Sequence, residues 1–197
     1  MRKALTIVLV VLSCLASAAL FGLAEQAKPR ILIKTRVGDI VVELFEKQAP
    51  VTVANFLAYV DKGLFKGASF YRVVRLDNQP LSSVKIEVIQ GGLAADEGKA
   101  LPPIIHETTD KTGIPHRDGA ISMARDKPGT ASSEFFICIN DQPELDFMGL
   151  RNPDGQGFAA FGRVIQGMDV VRSIQRLKDK AQMLETPVPI LSVSRIN

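Results

Sequence analysis

The chain of 197 residues has no tryptophan and only two cysteines and two histidines. Two cysteines exclude a disulfide framework, and Cys14 and Cys138 do not have the spacing of a metal cluster. His106 and His116 stand alone in sequence, so each is expected to be an ordinary surface or hydrogen-bonding histidine. Neither a metal nor another cofactor is implied. Charge of one sign is also scarce: 24 Lys and Arg face 21 Asp and Glu. Residues 1–24 hold Arg2 and Lys3 and no acid, so the rest of the chain carries 22 basic against 21 acidic residues. No basic stripe is visible, which argues against nucleic acid as a partner. Internal repeats are absent too.

What the chain has is apolar content, 46% of its residues, enough for one ordinary globular domain with a core. Its N-terminus, "MRKALTIVLVVLSCLASAALFGLA", places Arg2 and Lys3 before an uncharged run ending at Ala24. Three readings fit, in this order: a cleaved secretory signal, an uncleaved membrane anchor, and lipid attachment at Cys14 within "VLSC". The expected organisation is therefore a signal peptide or N-terminal membrane anchor over 1–24, a linker over 25–30, and one domain over 31–197. The expected location is exported, periplasmic or extracellular, held to a membrane only if the N-terminal segment is retained. No feature signals an oligomer, and a monomer is expected.

Periodicity predicts many strands and two helices. "ILIKTRVGDIVVELF" reads as a hairpin turning at Gly38-Asp39. "APVTVANFLAYVDKG" changes to helical spacing, with Pro50 in the first turn, Val53, Phe56, Leu57 and Val60 on one face, and Gly63 as the stop. Further strands are expected in "ASFYRVVRL", "KIEVIQGG", "GAISMA", "SSEFFICI", "AAFGRVI" and "VPILSVSRI", and a second helix in "GMDVVRSIQRL". Residues 93–118 read as long surface loops. Helices do not alternate with strands, so a doubly wound parallel sheet is disfavoured. A mainly β, mostly antiparallel barrel or sandwich with two packed helices fits better.

"SSEFFICI" poses a specific problem. Alternation puts Phe135 on one face of a strand and Glu134, Phe136 and Cys138 on the other. Either the strand is buried on both faces, which strand statistics favour, or Phe136 serves a surface site.

The stretches "GDIVVELF", "APVTVANFLAYV", "FYRVV", "IQGG", "ISMAR", "SSEFFICI", "LD" and "FGRVIQGMDVV" occur in the order found in the cyclophilin-type peptidyl-prolyl cis–trans isomerases. The chain resembles that family from about residue 30 to residue 197. The resemblance implies a closed eight-stranded antiparallel barrel with two capping α-helices and an active site on the outer barrel wall. It also implies that Phe135 packs inside while Phe136 floors a proline pocket. Arg72 of "FYRVV" matches the catalytic arginine, and Gln90 of "IQGG" matches the glutamine that positions it and the substrate carbonyl. Val88 and Leu145 match pocket positions, with Val74, Glu134 and Phe158 around them. Ala124 and Arg125 match the segment whose backbone pairs with an extended substrate. Phe161 is expected in the core, or behind the pocket.

The implied chemistry is rotation about an Xaa-Pro bond. The barrier is about 18–20 kcal/mol, and no bond is made or broken. A site needs only to bind the twisted amide better than either planar form. An aimed, permanently charged guanidinium beside the proline nitrogen would do this.

Several positions depart from the family. Tyr71 stands where His is common, and strict alternation points it away from Arg72. Glu144 stands where many eukaryotic members have a tryptophan important for cyclosporin, so weak cyclosporin binding is expected. Glu87 takes a position that is usually aromatic, Phe158 one that is often histidine, and the loops 75–85 and 146–157 are long. The resemblance thus implies an isomerase acting on proline-containing polypeptides. The alternatives are a non-catalytic proline-binding module or holdase chaperone using the same groove, and, last, an apolar-ligand barrel.

Overall fold

The computed structural model describes residues 27–94, 98 and 100–196. The N-terminal run with Cys14 lies outside these residues. No helix among the described residues is long and apolar enough to cross a membrane.

The first hairpin pairs β1 (Arg30–Thr35) with β2 (Asp39–Leu44), Lys34 opposite Asp39. Its turn is closed by Thr35, whose hydroxyl donates to the Gly38 carbonyl (2.7 Å) and accepts from the Val37 and Gly38 amides. Residues 28–30, read as the end of a linker, are tied to the barrel instead. The Leu44 amide donates to the Pro29 carbonyl, and Lys28 pairs with Glu43.

Helix α1 (Pro50–Asp61) begins as expected, with Pro50 where no N–H is needed. Its N-cap residue makes no side-chain bond. The Glu107 carboxylate replaces it, accepting from the Val51 and Thr52 amides and the Thr52 hydroxyl. A carboxylate at a helix N-terminus is favoured by the free amides and the dipole. The helix ends in a Schellman motif: the Leu64 amide reaches the Tyr59 carbonyl and the Gly63 amide reaches that of Val60. Gly63 adopts φ +64°, a conformation that side chains resist.

The remaining elements are β3 (Ser69–Val74), β4 (Val88–Gly92), α2 (Thr109–Thr112), β5 (Ala120–Met123), β6 (Phe135–Cys138), β7 (Ala159–Gln166), α3 (Met168–Gln175), β8 (Asp179–Lys180) and β9 (Met183–Ile196). The short α2 falls in a stretch read as loop. Strand order is β1-β2-β7-β5-β6-β4-β3-β9, and β9 pairs back onto β1. Eight antiparallel strands thus close a barrel, as expected, and β8 is a two-residue flap on β9. Helix α1 packs against β7 and β9, and α3 against β2, β3 and β4.

The barrel interior is an apolar core containing Ile31, Ile33, Val42, Phe56, Phe70, Phe135, Ile137 and Phe161. Phe135 meets Phe56 and Phe70 edge-on, at 5.5 and 5.8 Å between ring centres, a favoured aromatic geometry. A second apolar layer lies outside the wall: Val74, Ile86, Val88, Ala120, Phe136, Cys138 and Leu145. Adjacent phenylalanines therefore serve two different layers, as strand alternation requires.

Candidate active site

The outer layer floors a cavity of about 280 Å³, lined by Ile86, Val88, Phe136, Leu145 and Phe158 on its apolar side. Phe136 is held from two directions. Phe158 meets it edge-on at 5.3 Å, and the His116 ring stacks on it at 5.9 Å. His116 is itself fixed, with Nδ1 against Asp146 (2.7 Å) and Nε2 against the Ser122 hydroxyl (2.9 Å). The three residues have the connectivity of a hydrolytic triad. Yet Ser122 is fully buried and His116 is 1% exposed, so no substrate reaches the hydroxyl. The chain of bonds orients the aromatic floor. His116 is thus a hydrogen-bonding histidine, but an interior one.

On the polar side, β3 and β4 bring Arg72 beside Gln90. Arg72 Nη1 donates to Gln90 Oε1 (2.7 Å), and Nε and Nη2 donate to Gln182 Oε1 (3.1 and 2.6 Å). Two neutral acceptors thus clamp the guanidinium, and no carboxylate among the described residues takes its charge. Burial, reinforced by the nearby Arg151 guanidinium, lowers the Arg72 pKa; an arginine nonetheless stays charged.

Gln182 arrives on the β8–β9 hairpin, whose turn residues Ala181 and Gln182 have φ of +51° and +73°. Positive φ at both central residues suits a two-residue hairpin, although Asn and Gly are the usual occupants.

Tyr71 does not point away from Arg72. Register shifts between Phe70 and Arg72 against both neighbouring strands, so the alternation is broken there. Gln90 Nε2 donates to the Tyr71 hydroxyl (2.9 Å), which donates to Glu134 (2.5 Å). Burial, and then the Glu134 carboxylate, push the Tyr71 pKa far up, keeping the phenol a donor. Glu134 also accepts from the Leu93 and Ala94 amides and the Ser133 hydroxyl. The relay Glu134–Tyr71–Gln90–Arg72 therefore spans the wall. Gly92, at φ +148°, lets this happen, because a Cβ there would lie 2.6 Å from the Glu134 carboxylate.

The third side is formed by Ala124, Arg125, Asp126, Arg151 and Asn152. Arg125 is held in place, bidentate on Asp154, bonded to the Gly157 carbonyl and lying over the Phe158 ring. Arg151 comes from the long 146–157 loop. Its Nη1 reaches Ser82 Oγ (2.5 Å), the Val84 carbonyl (2.6 Å) and Gln79 Oε1 (3.2 Å) on the other long loop.

The family model for cyclophilin type peptidyl-prolyl cis-trans isomerases matches residues 30–195. The chain belongs to this family. It is 35% identical to a peptidyl-prolyl cis-trans isomerase of Streptomyces antibioticus, over 82% of this chain and 92% of that one. It is 31% identical to peptidyl-prolyl cis-trans isomerase B of Escherichia coli, over 81% and 92%. Its fold is similar to that of a cyclophilin type isomerase of Cryptosporidium parvum, with a TM-score of 0.70 at 23% identity, over 86% of this chain and 98% of that one. That parasite isomerase was also solved in the presence of the dipeptide Ala-Pro, and this chain matches it with a TM-score of 0.69 at 24% identity, over 85% and 99%. This cyclophilin is an enzyme, a peptidyl-prolyl cis–trans isomerase.

Of the residues expected at the cyclophilin site, Arg72, Val88, Gln90, Ala124, Arg125, Phe136, Leu145 and Phe158 line one cavity. Val74 does not: it is fully buried beneath the floor. Glu134 lines the neighbouring cavity with Ser69, Tyr71, Thr130 and Met183, on the far side of Gln90. Glu87 lies outside both cavities, bonded to Asn140 and Gln175. Ile86, two residues before β4, supplies an apolar wall in its place and lines the cavity with Val88 and Gln90. Phe161 belongs to the core. The sequence reading missed Ile86, Gln182 and Arg151. Alternation from Gln90 back to Ile86 would have found the first; the other two had no local signal.

Proposed function

We propose that this cyclophilin accelerates rotation about Xaa-Pro bonds in exported or unfolded polypeptides, and that Arg72 is the electrostatic centre. The observation that carries this reading is the clamped guanidinium beside an apolar floor. In the twisted amide the proline nitrogen regains its lone pair. A preorganised N–H donor aimed there stabilises that state more than either planar form. The ring would sit on Phe136 against Val88, Ile86 and Leu145; burying it is worth about 1.5–3 kcal/mol of binding, as for an apolar side chain. The backbone at Ala124 and Arg125 would pair with the extended substrate, which tolerates varied sequence around the proline. The parasite isomerase solved with Ala-Pro supports a proline-containing ligand.

Export rests on the N-terminal segment 1–24, read as a signal or anchor. The absence of tryptophan supports weak cyclosporin binding, and the lack of any oligomer signal supports a monomer.

The test is cis–trans exchange of an Ala-Pro peptide followed by NMR, with the protein and with Arg72→Ala. The expected loss in kcat/KM is about 10²–10³-fold, as when one preorganised donor is removed from a site, with an unchanged far-UV spectrum. Equal exchange by both proteins would refute Arg72 as the centre. A folded protein inactive on every peptide would favour the binding-module reading.

A further inference from the structure

The cavity holds three guanidiniums but uses only two of them in ways its own residues explain. Arg125 is neutralised by Asp154. Arg72 is clamped by two glutamines. Arg151 lines the same cavity and has no carboxylate partner among the described residues. Only its Nη1 is engaged, by three neutral oxygens, while Nε and Nη2 have no acceptor among the described residues.

The local acids do not answer this charge. The Glu144 carboxylate takes the Leu150 amide, and Asp154 takes Arg125. Asp126, exposed at the rim, is the single carboxylate lining the cavity among the described residues. Burial lowers the Arg151 pKa; it is also the main cause of the lowered Arg72 pKa, to which repulsion from Arg151 adds. Two half-buried like charges beside an apolar floor are unfavourable unless an anion joins them.

Resting on the isomerase reading above, we propose that Arg151 is a specificity-determining residue that selects substrates with a carboxylate adjacent to the bound proline. The carboxylate would accept from the free Nε and Nη2 fork, a geometry suited to bidentate recognition. It comes either from an Asp or Glu side chain next to proline or from the terminus of a chain that ends in proline. The bonds from Nη1 to the 75–85 loop set the fork in place before substrate arrives.

The experiment measures kcat/KM by NMR exchange with the full chain on three peptide pairs. The pairs are Pro-Glu against Pro-Gln, Glu-Pro against Gln-Pro, and a free terminal Pro carboxylate against its amide. At least one pair is expected to favour the carboxylate by about 5- to 10-fold at low salt, as charge-assisted bidentate bonds allow. The ratio within that pair should fall towards one in Arg151→Gln and partly recover in Arg151→Lys. In the unmodified protein it should also shrink on raising salt to about 0.5 M, where screening is short-ranged. The pair that responds identifies the source of the carboxylate. The proposal is overturned if no pair discriminates, or if the ratio survives both Arg151→Gln and added salt. Inactivity on the neutral peptides as well would instead strike the isomerase reading itself.

Discussion

Gln182 offers the sharpest test of how the arginine is held. Its Oε1 accepts two N–H donors from Arg72, and its Nε2 donates to the Asn78 carbonyl. Its backbone is anchored separately: the amide donates to Asp179 and the carbonyl accepts from Val73. Gln182→Gly therefore removes the clamp without removing the hairpin. Hydrogen bonds to a charged group contribute about 1.5–3 kcal/mol. Spread over two donors to one oxygen, a loss in that range corresponds to about a 10- to 150-fold fall in kcat/KM. Stability should move the other way or stay level. At φ +73° a side chain costs about 1–2 kcal/mol that glycine does not. That relief offsets the lost side-chain bonds, so Tm should change by only a few degrees. Peptide exchange by NMR and thermal unfolding by circular dichroism give both quantities on one sample. A Gln182→Gly protein with kcat/KM within twofold of the parent would show that Gln90 alone aims Arg72. A large fall in Tm would show that the side chain holds the hairpin rather than the arginine.

Two further outcomes are expected. Burial tends to raise the Asp179 pKa, but bonds from Arg75, Asn78 and the Gln182 amide prevail and hold it below the usual value. Its contribution is thus complete above the unfolded pKa of about 3.9 and is lost as pH falls through the folded value. Tm should therefore drop more steeply below about pH 4 in the parent than in Asp179→Asn, and parallel profiles would refute the linkage. Burial, followed by the carboxylates of Asp146, Asp118 and Asp141, pushes the Cys138 thiol well up. At pH 8 a thiol-alkylating reagent should leave Cys138 unmodified in the folded protein and label it after unfolding, as read by peptide mass spectrometry; rapid native labelling would mean that the outer apolar layer opens.

The parts of this molecule written in local periodicity were readable. Pro50, the apolar face of α1 and Gly63 mark a helix with its start and stop, and two-residue alternation separates Phe135 from Phe136. What was not readable depends on departures from regularity or on distance. The irregularity at Tyr71 reverses the side to which alternation assigns that residue. The turn at Ala181-Gln182 has positive φ without the Asn or Gly that signals it. Pro187 and Pro189 lack amides and interrupt the pattern of a strand, so β9 was expected only from Val188, whereas it starts at Met183. Gln182 reaches Arg72 across 110 positions of chain, and Arg151 reaches Val84 across 67. No window of sequence contains either pair.

Strand β9 has a consequence for the order of events during folding. β9 closes the barrel by pairing its end, Ile196, with Arg30, and its start brings Gln182 to Arg72. Before residues 183–196 dock, the molecule has Arg72 and Phe136 but neither the seam nor the hairpin that holds the guanidinium. The held guanidinium therefore arrives together with barrel closure, and a product cut short before Met183 would expose a barrel edge on each side of the gap, at β1 and at β3. One fourteen-residue strand thus both latches the fold and sets the geometry of the candidate site.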